Sequence, residues 1–437
     1  MKITRRNLLA STLFGTGYLG LRALATGLPL SLFVKGRRAL ADGSACADSS
    51  KAQYIIMSTS SSGDPINANA PGSYVSGAYN CPVSGMDATA LTLGSTQTQA
   101  ALPWTQLPQA ALSRMSVWHL MTNTPVHPKE PDVLKLAGAT QANEMLPSLL
   151  AKQLAPCLNT VQTQPISLGA TTPSEGLSFD GAALPILPPL AVQAMLTAPQ
   201  SPLTNLTALR DQTLSKLDDL YRSSATPAQS KYLDSLITSQ QQVRNLNQGL
   251  LDLLSSIQDN TVQSQITCAM ALIQMNVSPV LVIHIPFGGD NHHDTGLANE
   301  GAQSITGIQT IGQVITSIPA AYADKVTFMS LNVFGRTLGS DSANGRQHNP
   351  NHQVSIAIGK PFAPGVIGGL SMADNKGQCL DIDSHSGAGV PANMGDIPAL
   401  DSLAAYGATM LAAVGTPSSA ISTLIPSGTV VQGALQS

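Results

Sequence analysis

Five short apolar runs dominate the hydrophobic pattern of the chain, at residues 52–59, 113–120, 279–285, 325–331 and 354–358. Near-continuous apolar segments of this length are typical of strands that are buried on both faces of a sheet. The pattern therefore predicts a β-sheet that is covered on both sides.

The segments between these runs carry helical signals. Residues 143–154 and 302–322 are predicted helices, and residues 268–275 fit either a helix end or a strand. The longest helical pattern covers residues 227–257, opens with a Thr-x-x-Gln capping box at Thr226 and repeats apolar residues every seven positions. Either this stripe is a coiled-coil seam for a partner or it covers the sheet, and a single stripe on one helix favours the second interpretation.

Strands that alternate with helices predict an α/β fold with a largely parallel sheet flanked by helices. No internal repeat and no Pro/Ser-rich linker divides the chain after its N-terminal segment. We therefore predict a single α/β domain over residues 52–437.

The N-terminal segment has the three parts of an export signal: a basic start that contains Arg5 and Arg6, a moderately apolar middle and an Ala-Leu-Ala end. An arginine pair before an apolar run is the bacterial address for twin-arginine export. The alternative is an N-terminal membrane anchor, but Arg22 and several glycines interrupt the apolar run. We predict a signal peptide over residues 1–41, a linker over 42–51, the twin-arginine machinery as a partner, and a periplasmic protein without a permanent membrane span.

Removal of the signal peptide changes the charge balance. The chain has 22 Lys and Arg against 25 Asp and Glu, and seven of the basic residues but none of the acidic ones lie in the signal. The predicted mature protein therefore has fifteen basic residues and a net charge of −10. This acidic balance argues against nucleic-acid binding, which needs a basic surface.

The five cysteines lie at positions 46, 81, 157, 268 and 379, and none forms a Cys-x-x-Cys pair. Their spacing excludes a zinc ribbon and a thioredoxin-type motif. An oxidising periplasm permits disulfides, and the odd number leaves at least one free thiol. Cys46 and Cys81 flank the first predicted strand and could form a bridge, whereas Cys268 lies in an apolar run and fits a core position.

Two loops that follow predicted strands concentrate histidine and acidic side chains. One contains Asp290 and His292, the other contains His348 and His352, and Asp64 follows the first strand. Because the loops beyond the carboxyl ends of parallel strands line the ligand crevice, we expect these three loops to form one site. Imidazole and carboxylate groups together suit a divalent metal ion, with zinc favoured. The alternative is that these side chains are solvated in ordinary loops.

Arg336 and Arg346 lie in the same part of the chain as the second loop. Either they hold an anionic group through bidentate hydrogen bonds, or they pair with acidic side chains of the loops, for which the candidates are Asp290, Asp294 and Asp341.

These motifs together resemble the bacterial domain of unknown function 1501 family, which is similar to the alkaline phosphatase and sulfatase superfamily. The resemblance covers most of residues 52–370, and its more specific part is the C-terminal half. Besides the arginine pair it is carried by Gly63-Asp64-Pro65-Ile66-Asn67, Asp290-Asn291-His292, Phe334-Gly335-Arg336-Thr337, Asn344-Gly345-Arg346-Gln347-His348 and Val366-Ile367-Gly368-Gly369.

The resemblance implies a sulfatase-like α/β sandwich with a metal-dependent ester site at the strand ends. Carried over by position, the implied metal ligands are Asp64, Asp290, His292 and His348. Arg336 and Arg346 would then support the ligands or hold an anion.

Two positions depart from the family pattern. Val333 stands where the family has an acid before Phe-Gly-Arg-Thr, and Gln347 stands where it has Asp before the later His. Fewer anionic ligands weaken the binding of a divalent cation. We therefore expect at most one firmly held ion.

Two functions follow from the sequence. The first is a metal-dependent hydrolase of phosphate or sulfate esters, which the retained histidines favour. The second is a non-catalytic relative that binds a ligand, a polysaccharide or a partner protein, which Val333 and Gln347 favour. The sequence identifies no nucleophile, and the hydrolase is the working hypothesis.

Replacement of both Arg5 and Arg6 by lysine is expected to leave the precursor in the cytoplasm, because the export machinery recognises the arginine pair. Cell fractionation followed by N-terminal sequencing measures this. Periplasmic variant protein that begins at Asp42 would show that export uses another route.

Overall fold

The computed structural model describes residues 51–60, 62, 65–158, 164–170, 175–197, 248–287 and 289–436, and separate positions between 212 and 237. The predicted signal peptide, nearly all of the predicted linker and Asp64 lie outside the described residues. Most of the helix predicted over residues 227–257 does so as well.

The described strands, in chain order, are β1 (Tyr54–Ser60), β2 (Ala88–Leu93), β3 (Thr96–Ala101), β4 (Met115–Leu120), β5 (Ile166–Ser167), β6 (Ser178–Phe179), β7 (Ala182–Ala183), β8 (Val280–Ile283), β9 (Val326–Asn332), β10 (Gly335–Arg336), β11 (His348–Asn349), β12 (Gln353–Ile358), β13 (Gly365–Ile367), β14 (Leu370–Ser371), β15 (Gln378–Cys379), β16 (Asp381–Ile382) and β17 (Gly389–Val390).

The described α-helices are α1 (Leu102–Thr105), α2 (Gln109–Leu112), α3 (Glu130–Leu134), α4 (Leu146–Leu158), α5 (Pro189–Leu196), α6 (Gln248–Ser255), α7 (Val262–Gln274), α8 (Ala298–Ser317), α9 (Ser402–Ala413) and α10 (Ser418–Leu424).

Seven strands form the main sheet, in the order β13-β4-β12-β9-β1-β8-β5. β5, β8, β1 and β9 are parallel neighbours, and β13 is parallel to β4. Only β12 runs against both of its neighbours, so six of the seven strands point the same way. The predicted α/β fold with a largely parallel sheet flanked by helices is confirmed.

Apolar side chains fill a layer on each face of this sheet. Along β1, Ile56 faces a layer that contains α7 and α8, while Ile55 and Met57 face a second layer that contains α4 and α9. All seven residues of β1 are buried, which explains why its sequence reads as a continuous run rather than as an alternation. All five predicted strands are present, and their ends differ from the predicted ends by at most two residues.

The predicted helices agree with the structure less closely than the predicted strands do. The ambiguous segment 268–275 lies almost wholly within α7, and α8 starts four residues before the predicted 302. It starts early because the Asp294 carboxylate accepts hydrogen bonds from the backbone N–H groups of Asn299 and Glu300, at 3.1 and 2.9 Å. The described end of the predicted long helix, α6, packs on α7 and α5. Among the described residues, no helix is long and apolar enough to cross a bilayer.

The state of the cysteines differs from the predicted bridge between Cys46 and Cys81. Cys81, Cys268 and Cys379 are free and buried, so the bridge between Cys46 and Cys81 is wrong, whereas Cys157 is disulfide-bonded. Cys268 is fully buried in the apolar layer, as expected. Burial raises the pKa of its thiol to about 12, so this cysteine stays neutral and unreactive.

Because six strands share one direction, their carboxyl ends lie at one edge of the sheet, which we call the site edge. The chain segments that follow β1, β4, β8 and β9 start there, and β12 enters the sheet from it. The site edge is therefore where the predicted ligand residues can meet.

Candidate functional site

Three loops of the site edge are joined by one buried carboxylate, that of Glu300 in the first turn of α8. Its Oε2 accepts hydrogen bonds from Arg346 Nε at 2.7 Å and from Asn291 Nδ2 at 3.0 Å. Its Oε1 accepts one from Asn69 Nδ2 at 3.0 Å. Asn69 follows β1, Asn291 follows β8 and Arg346 precedes β11, so Glu300 fixes the three loops relative to one another.

Arg346 forms its ion pair with Glu300, a residue that the sequence analysis does not single out. Both side chains are fully buried. The remaining guanidinium nitrogens donate to the Thr337 carbonyl at 2.9 Å and to the Tyr79 carbonyl at 2.7 Å. Every nitrogen of Arg346 therefore contacts a protein acceptor, and this residue joins the loops of the site.

His348 is held in one orientation at the site edge. Its Nδ1 lies 2.5 Å from the Pro125 carbonyl oxygen, and a carbonyl only accepts, so Nδ1 carries the proton. The ring stacks on Phe334 with a centroid separation of 4.1 Å and meets the His127 ring edge-on at 4.7 Å. Partial burial is the main cause that lowers the pKa of His348. At neutral pH its Nε2 therefore presents a lone pair.

His292 faces that lone pair. Its Nε2 lies 3.0 Å from His348 Nε2 and 3.2 Å from Asp290 Oδ1. Two acceptors thus surround one imidazole nitrogen, which must carry a proton to satisfy them. The structure brings together three of the predicted ligand residues, Asp290, His292 and His348.

Arg336 lies beside this group and is buried at the end of β10. Its NH2 group donates to the carbonyls of Ser62 and Gly289, at 2.9 and 3.2 Å. The guanidinium carbon lies 5.3 Å from the centroid of the Phe334 ring, on which His348 also stacks. Arg336 therefore connects the loops after β1, β8 and β9 and places a positive charge near the imidazoles.

His352 is in a different environment from the one predicted. It lies just before the antiparallel strand β12 and is fully buried, and its Nε2 lies 2.8 Å from His119 Nδ1. His119 Nε2 in turn contacts the Pro71 carbonyl at 3.0 Å. The His-x-x-x-His spacing suggested chelation by His348 and His352, but the chain turns into β12 between them, so His352 pairs with a histidine of β4.

Among the described residues, the remaining positions of the predicted site add no further ligand to this group. Asp64 lies outside the described residues. Val333 is fully buried in the apolar layer, and Gln347 is exposed. Within the described part of the chain, no three His, Cys, Asp or Glu side chains are arranged to hold a metal ion together. Asp290 contacts His292 but is largely exposed.

Two residues of the site edge escaped the sequence analysis, His127 and Glu130. Both follow β4, and His127 contacts His348 while Glu130 is fully buried. The same rule that selected the loops after β8 and β9 applies to the segment after β4. This segment has only one histidine and no repeated motif, so its sequence gives a weaker signal than the other two loops.

Comparison with known proteins adds no relative: no protein-family model, no curated protein and no solved structure matches this chain.

The His119–His352 pair predicts loss of stability in acid. Burial lowers the pKa of His119 to about 4 and that of His352 well below its ordinary value. The unfolded chain therefore takes up protons below about pH 6.5 that the folded protein excludes. Stability should fall as the pH drops from about 6.5 to 4, by roughly 3 kcal/mol for His119 alone.

Urea unfolding at about pH 7 and pH 5 measures this loss. The variants His119→Gln and His352→Gln should each lose less stability between the two pH values than the wild type does. His385→Gln, which changes an exposed histidine, should behave as the wild type. Equal losses in all four proteins would show that the His119–His352 pair is not the cause of the loss of stability in acid.

Proposed function

We propose that this chain is an exported relative of the alkaline phosphatase and sulfatase superfamily, of the domain of unknown function 1501 type. It binds one zinc ion and hydrolyses phosphate or sulfate esters in the periplasm, which it reaches through the twin-arginine machinery. One observation carries most of the proposal: the direct contact of His292 and His348, beside Asp290, at the carboxyl ends of parallel strands.

The donor atoms suit one ion. A metal-binding imidazole usually donates its other N–H to a carbonyl or carboxylate, which fixes the ring and leaves a lone pair for the metal. His348 has this arrangement through the Pro125 carbonyl. The proton on His292 Nε2 is shared between His348 Nε2 and Asp290 Oδ1. If a cation replaced this proton, His292 Nε2 would become a ligand together with those two atoms. Two nitrogens and one oxygen form a donor set that zinc accepts, with water in the fourth position.

The chain's own residues support ester chemistry in defined ways. A bound zinc ion would polarise the ester oxygen and lower the pKa of water. Phe334 and His127 hold the His348 ring in place. Arg336 places its guanidinium over Phe334, where it can orient an anionic ester and stabilise negative charge that develops on it. Because Arg336 is buried and donates to the carbonyls of Ser62 and Gly289, its positive charge is held in one position.

The second candidate is a non-catalytic relative that keeps the fold and binds a ligand or partner. The observation that favours it is Val333, whose fully buried side chain packs in the apolar layer at the position where the family has an acid. The exposed position of Asp290 points the same way, since an exposed carboxylate attracts a cation weakly.

Zinc binding by the mature protein separates the two candidates. After treatment with a chelator, the wild type should take up one zinc ion per chain, measured by titration calorimetry and metal analysis. The double variant His292→Ala/His348→Ala should bind zinc more than about 100-fold more weakly, beyond the 10–100-fold loss that changes around a metal site cause. His293→Ala is the matched control, because His293 is exposed in the same loop and should change nothing.

Binding should weaken as the pH falls, because imidazoles bind zinc only when neutral. Burial lowers the pKa of His348, so protons should compete at this ligand only below about pH 6.5, the ordinary histidine value. Aryl phosphate and aryl sulfate serve as test substrates. Failure of the wild type to bind zinc would contradict the hydrolase and favour the non-catalytic relative.

A further inference from the structure

An open cavity of about 490 Å³ lies beside the segment that follows β4. Thr122, Asn123 and Thr124 form one wall, and the other wall comes from α3 and the turns after it. This volume lies within the range of small-molecule sites in proteins. The same segment contacts His348 through the Pro125 carbonyl, but among the described residues neither imidazole of the proposed zinc site is part of the cavity wall.

The Thr122 side chain is a polar group of this wall without a partner. Thr122 is 1% exposed, and its Oγ1 makes no hydrogen bond to any described group. Its backbone is held in place, because the N–H donates to the Pro350 carbonyl at 3.1 Å. A buried hydroxyl without a partner costs free energy that a valine of the same shape would avoid. We therefore expect its partner from the cavity, which Thr122 lines.

Lys135, directly after α3, gives the cavity an uncompensated positive charge. Its side chain is half-buried, and it forms no ion pair with a described carboxylate. The other lysine of the wall, Lys129, is neutralised by Asp132 at 2.9 Å. Two lysines and one aspartate line the cavity, so it favours a ligand with one negative charge.

The backbone after Lys135 supports the same conclusion. Lys135 has right-handed angles (φ −90°, ψ 13°), whereas Leu136 and Ala137 are left-handed, each with φ 54°. Residues with a Cβ rarely adopt left-handed backbone, because it brings the Cβ close to the following carbonyl oxygen. A right-handed residue followed by a left-handed one is the geometry in which consecutive N–H groups form an anion-binding nest. This end of the cavity therefore suits a negative group.

The rest of the wall suits a ligand with hydroxyl groups. The amides of Asn123 and Asn143 and the Thr124 hydroxyl each offer both a donor and an acceptor, and the Asp132 carboxylate only accepts. A phosphate or sulfate ion would leave these acceptors unused, and its second negative charge would have no second unpaired lysine. A molecule with one carboxylate and several hydroxyls matches both the charge and the acceptors.

We propose that this cavity binds a sugar acid, which is a polyhydroxylated molecule with one carboxylate, either free or as an acidic residue of a polysaccharide. The carboxylate pairs with Lys135, and the hydroxyls contact Thr122, Asn123 and Asn143. The site is separate from the His292–His348 pair and needs no metal ion, so it does not rest on the proposed hydrolase.

Titration calorimetry and thermal unfolding of the mature protein at constant ionic strength test this. Sodium galacturonate should bind with saturation and raise the Tm by about 2 °C at concentrations well above its Kd. Galactose lacks the carboxylate and acetate lacks the hydroxyls, so each should bind at least about tenfold more weakly. Oligogalacturonate that binds more tightly than the monomer would identify a polysaccharide as the source, and equal affinity would identify a free sugar acid.

Single substitutions locate the binding. Lys135→Gln should weaken galacturonate binding at least about tenfold, the loss expected for a hydrogen bond to a charged group. Thr122→Val should also weaken it, while the Tm of the ligand-free variant stays equal to that of the wild type or exceeds it, because no hydroxyl is left unsatisfied. Lys376→Gln is the matched control, since Lys376 is an exposed lysine outside the cavity, and it should bind as the wild type does.

The His292→Ala/His348→Ala variant separates this site from the proposed zinc site, because it should lose zinc and keep its affinity for galacturonate. The proposal is overturned if the wild type does not bind galacturonate with saturation, or if galactose or acetate binds equally well. An unchanged affinity in Lys135→Gln would place the binding elsewhere and would overturn it as well.

Discussion

The buried ion pair of Glu300 and Arg346 is the interaction on which the arrangement of the site edge depends. Removal of one partner from such a pair leaves an uncompensated buried charge and costs about 3–5 kcal/mol. Here each partner also holds other groups: Glu300 accepts from Asn69 and Asn291, and Arg346 donates to two carbonyls. The pair therefore joins the loops after β1, β8 and β9 into one unit. His292 and His348 lie one residue after Asn291 and two residues after Arg346, so their contact is a consequence of this unit.

The sequence predicted the strands of the sheet well and the partners of its polar side chains poorly. Apolar runs such as that of β1 are a local property, and a strand buried on both faces needs nothing more to be recognised. The convergence of Asp290, His292 and His348 was also within reach, because it follows from the rule for carboxyl ends of parallel strands. Contacts between polar side chains that are distant in the sequence cannot be read from a local pattern. That Arg346 contacts Glu300 depends on where α8 begins, which is set by the Asp294 cap.

His352 shows why spacing alone misled. Two histidines four residues apart can share a metal when the chain between them is helical or forms a compact loop. In this fold β11 ends at Asn349 and β12 begins at Gln353, so the intervening residues carry the chain into the sheet. The register of β12 with β4 places Val354 opposite His119, and His352 meets the His119 ring. This register is a tertiary property that no single sequence segment contains.

Val333, directly before Phe334, is fully buried in the apolar layer. Its side chain contributes to the core, so the donors of the proposed zinc site are the two imidazoles and the Asp290 carboxylate.

Anomalous diffraction at the zinc absorption edge, from crystals of the chelator-treated protein soaked with zinc, tests the central claim most directly. Our account predicts one peak at about 2.0–2.1 Å from His292 Nε2 and from His348 Nε2, with the Asp290 carboxylate turned towards it. The alternative outcome is equally clear. If no peak appears and the two rings keep their direct contact of 3.0 Å, the histidine pair is a structural hydrogen bond, and the proposal of a zinc-dependent hydrolase is contradicted.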